Sequence, residues 1–213
     1  MSMPMPMQMQ QWTRDIPPGL SIPRIEAFLA DRAHGFDPTA WLPRGRVLTL
    51  PVLDAATDTP LDLAGLVGER PAAFVFYQGG WSRECNVALR AFQAALPGFE
   101  RAGAVVVAVS PELPRHVRET IEGNGLGFVV ATDHCCRFAR SLGLVFKLPV
   151  ELRRIARDAG VRLKQWNGEG SYDLPMPALL VLDRERRIRS VTWAFRTSDL
   201  DPSAALSALS QFT

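Results

Sequence analysis

Cysteine is scarce in this chain. There are three in 213 residues, an odd number, and Cys135 and Cys136 are adjacent. That count and spacing exclude a secreted disulfide framework, which needs paired cysteines spread along a short chain. Histidine is equally sparse: His34, His116 and His134 give no metal-ligand spacing, so no metal site is expected. One-sided charge is missing too. A net charge of +2 offers no basic face for nucleic acid, so neither DNA nor RNA is an expected partner. No apolar run approaches the length of a membrane span. Ser-His-Asp order, P-loop and G-x-G-x-x-G are all absent, which removes hydrolase, kinase and dinucleotide readings. No feature calls for a cofactor.

What is present reads as one globular domain. Apolar residues make up 47% and charged residues 22%, enough of each for a buried core under a solvated surface. The first twenty residues, opening MSMPMPMQMQQ, alternate Met with Ser, Pro and Gln. They lack the basic and apolar regions of a signal peptide. Residues 1–20 are therefore expected to be a disordered leader, and the cytoplasm is the expected address. The domain then runs from 21 to 213. Residues 21–33 read as a helix with a Ser cap and a Pro just inside.

Further along, RVLTLPVLDAATDTPLDL reads as a strand, a polar turn and a return. Short apolar runs AAFVFYQ, AVVVAVS and GFVVATD alternate with helical segments CNVALRAFQAALPGFERAG, PRHVRETIEGNG and HCCRFARSLG. Continuous apolar strands alternating with helices predict parallel pairing under helices on both faces. Residues 144–175 interrupt the rhythm with a basic helix, VELRRIARDAG, and a Gly- and Pro-bearing loop, LKQWNGEGSYDLPMP. PALLVLD and RIRSVTWAF, separated by a short charged turn, predict a hairpin, and residues 199–212 a last helix. The order is that of a thioredoxin-like α/β fold with an N-terminal extension and an insertion at about 144–175.

The stretch GGWSREC, residues 79–85, carries the chemistry. It lies between the strand AAFVFYQ and the long helix, which puts Cys85 in the helix's first turn. Unpaired N–H groups and the positive end of the helix dipole meet there, so a thiolate should be stabilised and the thiol pKa lowered. Arg83 adds positive charge nearby. The competing reading is a buried cysteine used as a small hydrophobe. Cys135 and Cys136 open a helix at the same carboxyl edge of the sheet, so either could resolve an oxidised Cys85, Cys135 before Cys136. The plainer reading is one core cysteine and one incidental. Asp133 and His134 read as helix-start residues. Trp81 and Trp166 are expected to pack around the site loop. The cations of residues 137–164 read as a solvated face, or else as a dock for an acidic partner or anionic substrate.

FVFYQGGWSRECNVALRAF followed by AVVVAVSPELP resembles the alkyl hydroperoxide reductase / thiol-specific antioxidant (AhpC/TSA) family, the peroxiredoxins. It is most similar to their peroxiredoxin-like branch, whose motif is F-Y-R-G-G-W-C-P-Y-C-N. The likeness extends from about Arg46 to the C-terminus. It implies a peroxiredoxin-type thioredoxin fold with a mixed central sheet. It also implies thiol peroxidase activity, with Cys85 as the peroxidatic thiol and Ser82, three residues before it, as its hydroxyl partner. Trp81, Arg83, Gly80 and Pro177 would shape the site. Pro177 follows Met176 as in the cis-Pro loop of thioredoxin, so a cis bond is expected there. Implied partners are a peroxide, an external thiol reductant of thioredoxin or glutathione type, and a second copy of the chain in a homodimer. Two other classes fit the same residues: a non-catalytic thioredoxin-fold binding module, and a thioredoxin-type disulfide exchanger. A lone Cys85 makes the exchanger depend on another thiol for release.

Overall fold

A computed structural model describes residues 42–158 and 160–211. The leader at 1–20 and the expected helix at 21–33 lie outside the described residues. A seven-stranded sheet forms the centre, in the order β2 (Pro60–Asp62), β1 (Val52–Ala55), β5 (Val129–Thr132), β4 (Val105–Ser110), β3 (Ala72–Phe76), β8 (Ala178–Leu182), β9 (Ile188–Trp193). Its middle is the parallel trio β3 (Ala72–Phe76), β4 (Val105–Ser110) and β5 (Val129–Thr132). These are the uninterrupted apolar runs of the sequence, and every residue of β3 and β4 is buried. Strands covered on both faces have no solvent side on which to place polar residues, which explains the absence of alternation.

The flanks are antiparallel, so the sheet is mixed. The hairpin of β8 (Ala178–Leu182) and β9 (Ile188–Trp193) pairs with β3 on one side. On the other, β1 (Val52–Ala55) joins β5 and carries β2 (Pro60–Asp62) as the edge.

Two cores separate on the two faces of this sheet, as the period of two in a strand requires. Phe74, Phe76, Val107 and Val109 point into one, beneath α1 (Leu63–Val67) and α4 (Arg137–Ser141). Ala73, Val75, Val106 and Ala108 point into the other, beneath α2 (Arg83–Arg101), α3 (Pro114–Asn124) and α7 (Pro202–Leu209). The long helix α2 sits there because Leu89, Phe92 and Phe99 recur on one side of it, and all three are fully buried. Each contributes roughly 1.5–3 kcal/mol by leaving water. The helix α3 ends where Gly125 turns left-handed at φ 61°, a conformation with no penalty for glycine.

Residues 144–175 are more ordered than their sequence suggests. Strands β6 (Val145–Lys147) and β7 (Asp173–Pro175) pair antiparallel and bracket α5 (Val150–Asp158) and α6 (Leu163–Asn167). Leu148, Leu163 and Leu174 form a third, small core there. Burial pushes the Asp173 carboxyl up, but hydrogen bonds from Lys147 and Arg140 outweigh it and hold the group below its ordinary value.

Three sequence expectations need correction. HCCRFARSLG is not one helix: a single 3-10 turn at His134–Cys136 breaks from α4, and Cys135 and Cys136 are both left-handed, at φ 56° and 53°. The break arises because Asp133 caps further on, its carboxylate accepting from the amides of Phe138 and Ala139 at 2.8 and 2.9 Å. The last helix begins at Pro202, capped by Asp201, and is preceded by a separate 3-10 turn at Thr197–Asp199. No cis peptide bond occurs among the described residues, so Met176-Pro177 is trans. The chain there links β7 (Asp173–Pro175) to β8 (Ala178–Leu182). Met176 N–H donates to the Leu144 carbonyl and the Pro177 carbonyl accepts from Ala194, which the ordinary trans bond satisfies.

Candidate active site

The site is built where β3 ends and α2 begins, at the carboxyl edge of the parallel strands, the usual place for ligands in such sheets. Gly79 and Gly80 make the turn, and nothing larger fits. A Cβ on Gly79, whose φ is 150°, would run into Trp81 and the Glu112 carboxyl, and one on Gly80 would strike Thr120. Ser82 caps α2, with extended backbone and its hydroxyl accepting from Cys85 N–H at 3.5 Å. Asn86 holds the turn from the helix side. Its side-chain amide donates to the carbonyls of Gly80 and Ser82 at 2.7 and 2.9 Å, and Asn124 donates in turn to its Oδ1.

Beneath the turn lies a buried carboxylate. Glu112 has no exposed surface. Its Oε1 accepts from Gly80 N–H at 2.8 Å, and its Oε2 accepts from the Tyr77 and Ser110 hydroxyls, each at 3.2 Å. Burial pushes its pKa up, and these three donors pull it back only in part.

Cys85 is fully buried, within the core beneath α2. Its Sγ lies 3.3 Å from Oγ1 of Thr197, which reaches over from the 3-10 turn after β9. Ser198 of that turn also bonds Glu84 at the start of α2, so the turn is fastened across the helix N-terminus. The expected lowering of the Cys85 pKa does not occur. Burial pushes the thiol up, and the Thr197 and Ser82 hydroxyls with the backbone of Gly79 and Gln78 offset only part of it. Helix position sets which donors face the sulfur, but desolvation dominates when the group has no water. Arg83 does not supply the missing charge. It is exposed and lines a cleft of about 500 Å³ with Gly80, Trp81, Arg90, Asn124 and Trp166.

Trp81 and Trp166 thus flank the site loop, Trp166 with its ring 4.2 Å from that of His116. Trp81 also packs against the small core of residues 144–175. The structure does not bring Cys136 to Cys85. Cys136 belongs to the core on the opposite face of the sheet, its Sγ 3.6 Å from the Asp173 carbonyl. Burial, then the Asp133 carboxylate, pushes its pKa far up. Cys135 is partly exposed, and all three cysteines are free.

Sequence reasoning missed Thr197, Glu112 and Asn86. Asn86 follows Cys85 directly and could have been singled out as a polar residue in the first turn. Glu112 sits in SPELP, which reads as exposed loop, and Thr197 is 112 residues from its partner, so neither carries a local signal.

Replacing Thr197 with Val removes a donor to the sulfur while nearly keeping the volume. Thr197→Val should raise the pH at which iodoacetamide alkylation of Cys85 reaches half its maximum, and cost about 1 kcal/mol in urea unfolding. An unchanged alkylation profile would show that the hydroxyl does not act on the thiol.

Residues 48–191 match the model of the AhpC/TSA family. The chain belongs to that family. Among solved structures, peroxidoxin BcpB from Mycobacterium tuberculosis is similar at 18% identity and TM-score 0.65, covering 80% of this chain and 97% of that one. A cysteine-to-serine variant of Xylella fastidiosa PrxQ is similar at 14% identity and TM-score 0.61, covering 80% and 94%. Xanthomonas campestris peroxiredoxin Q is similar at 18% and 0.56, covering 78% and 95%. These likenesses show the peroxiredoxin-type thioredoxin fold. No curated protein matches the sequence. Among the described residues no helix is long and apolar enough to cross a membrane, and no group of His, Cys, Asp and Glu could hold a metal ion.

Proposed function

We propose that this AhpC/TSA protein is a thiol peroxidase that reduces a peroxide at Cys85. The observation that carries the reading is the sulfur's surroundings. Cys85 stands in the first turn of α2 with the Thr197 hydroxyl 3.3 Å from its Sγ and the Ser82 hydroxyl accepting from its N–H at the same helix start. A hydroxyl so placed favours the thiolate and would hold charge developing on a peroxide oxygen. The thiolate attacks one peroxide oxygen, the O–O bond breaks, and the leaving alkoxide or hydroxide takes a proton to depart as alcohol or water. Cys85 is left as a sulfenic acid. A thiol then displaces water from that sulfur to give a mixed disulfide, and a second thiol releases Cys85 by exchange.

The resolving thiol in this scheme is external, of thioredoxin or glutathione type. Cys136 lies across the sheet, and Cys135 is the remaining internal candidate. The complete burial of Cys85 favours a second reading, a binding module whose thiol does not turn over, because no peroxide reaches a sulfur with no exposed surface unless the packing around it moves. Intact-mass spectrometry separates the two. Reduced protein is pulsed with hydrogen peroxide in the presence of a sulfenic-acid trap and mapped by peptide. Rapid trapping at Cys85 ahead of Cys135 supports the peroxidase, and an unmodified Cys85 under conditions that oxidise Cys135 overturns it.

A further inference from the structure

The basic run within residues 150–164 does not spread over a single solvated face. Helix α5 supplies Arg153, Arg154 and Arg157 from one side, and the chain entering α6 supplies Arg162 and Lys164 from the other. All five border one concavity of about 460 Å³, a size typical of small-ligand pockets. Among the described residues, the ion pairing of these five is limited to an exposed contact of Arg157 with Asp158 at 3.7 Å. Like charges gathered round a shared hollow repel one another, and water screens them less there than on an open surface. A bound anion would relieve that repulsion.

The pocket is also partly prepared. Arg153 is held by its Nε bonding the Leu148 carbonyl at 2.6 Å and by its guanidinium lying 4.4 Å from the centre of the Tyr172 ring. A fixed guanidinium suits a carboxylate or phosphate head, whose oxygens accept from its planar fork. Behind the cations the wall is apolar. Val161, Leu163 and Tyr172 line it, and the same side chains belong to the small core that meets Trp81.

We propose that this pocket binds a small organic anion, its charged head among Arg153, Arg154, Arg162 and Lys164 and its apolar body against Val161 and Tyr172. The site is separate from the Cys85 chemistry and does not depend on it.

The test is isothermal titration calorimetry of the full chain with decanoate below its micellar range, with decanol and inorganic phosphate as the neutral and the purely ionic comparisons. Decanoate should bind at least about tenfold tighter than either. The double variant Arg154→Glu/Arg162→Glu alters only exposed side chains and should keep its circular dichroism while losing at least about tenfold in decanoate affinity. Equal binding of decanol, equal binding of phosphate, or unchanged affinity in the folded variant would each overturn the proposal. So would binding only to anionic vesicles and not to monomeric decanoate.

Discussion

Cys85→Ser should reduce peroxide consumption to the background of the buffer and reductant. Cys135→Ser and Cys136→Ala should each leave the first turnover at Cys85 intact. The contrast follows from the chemistry required of the sulfur. A serine hydroxyl does not ionise near neutrality and forms no stable analogue of the sulfenic acid, so the donors around position 85 have nothing to activate. The loss should be at least about 10³-fold, or roughly 4 kcal/mol in barrier height. Cys136 is expected to matter only to the core in which it is packed. Stopped-flow measurement of peroxide loss in the first turnover, before any reductant is needed, isolates the attack step. If Cys85→Ser retains the rate and Cys135→Ser loses it, the nucleophile has been misassigned.

Glu112→Leu should be the most destabilising change near the site. The carboxylate is the shared acceptor for Gly80 N–H, the Tyr77 hydroxyl and the Ser110 hydroxyl, and leucine leaves all three without it, the two hydroxyls in a place closed to water. A buried donor without a partner costs about 1–3 kcal/mol, so roughly 3–5 kcal/mol of unfolding free energy should be lost, less than the simple sum because the three share one partner. Glu112→Gln keeps an oxygen for Gly80 and should cost far less.

The acid itself has a pH signature. Its folded pKa lies above its unfolded one, so between the two values the folded protein holds a proton that the unfolded chain has released. The stability contributed by this group is therefore greatest at or below the ordinary glutamate range and falls as pH rises through that interval. Asp173 has the opposite sign, its contribution being lost as pH falls. Urea unfolding of wild type and Glu112→Gln across this range should show a falling component that the variant lacks. Parallel pH curves would remove Glu112 as its source.

The parts of the fold that were readable from sequence are those whose reason is local. β3 and β4 announce themselves as unbroken apolar runs because they are covered on both faces, and α2 does so through the helical spacing of Phe92, Ala95, Leu96 and Phe99, although Val87, which shares that spacing, is exposed. The hairpin of β8 and β9 is visible in its charged turn. Where local rules failed, a distant group had overruled them. The first-turn position of Cys85 pointed to an acidic thiol, yet complete burial in the core beneath α2, built in part from residues far along the chain, reverses the direction. The two adjacent cysteines carry a helical pattern, but the Asp133 carboxylate caps residues beyond them and leaves both left-handed. The family likeness singled out Cys85 and Ser82 as candidates, but the cover over the sulfur and the acid under the turn are properties of packing, invisible to a motif.

The cover has a consequence for how the protein is made. Cys85 and Thr197 are separated by 112 residues, and β8 and β9 must be in place before the Thr197 turn can be laid across α2. Contacts so distant in sequence close late, because the loop entropy must be overcome first. A chain that has assembled β3, α2 and β4 but not yet made that return carries its sulfur bare at the head of a helix, with the dipole acting on it and no desolvation to oppose it. In such a chain the thiol would be more acidic, and more open to oxidation, than in the finished fold.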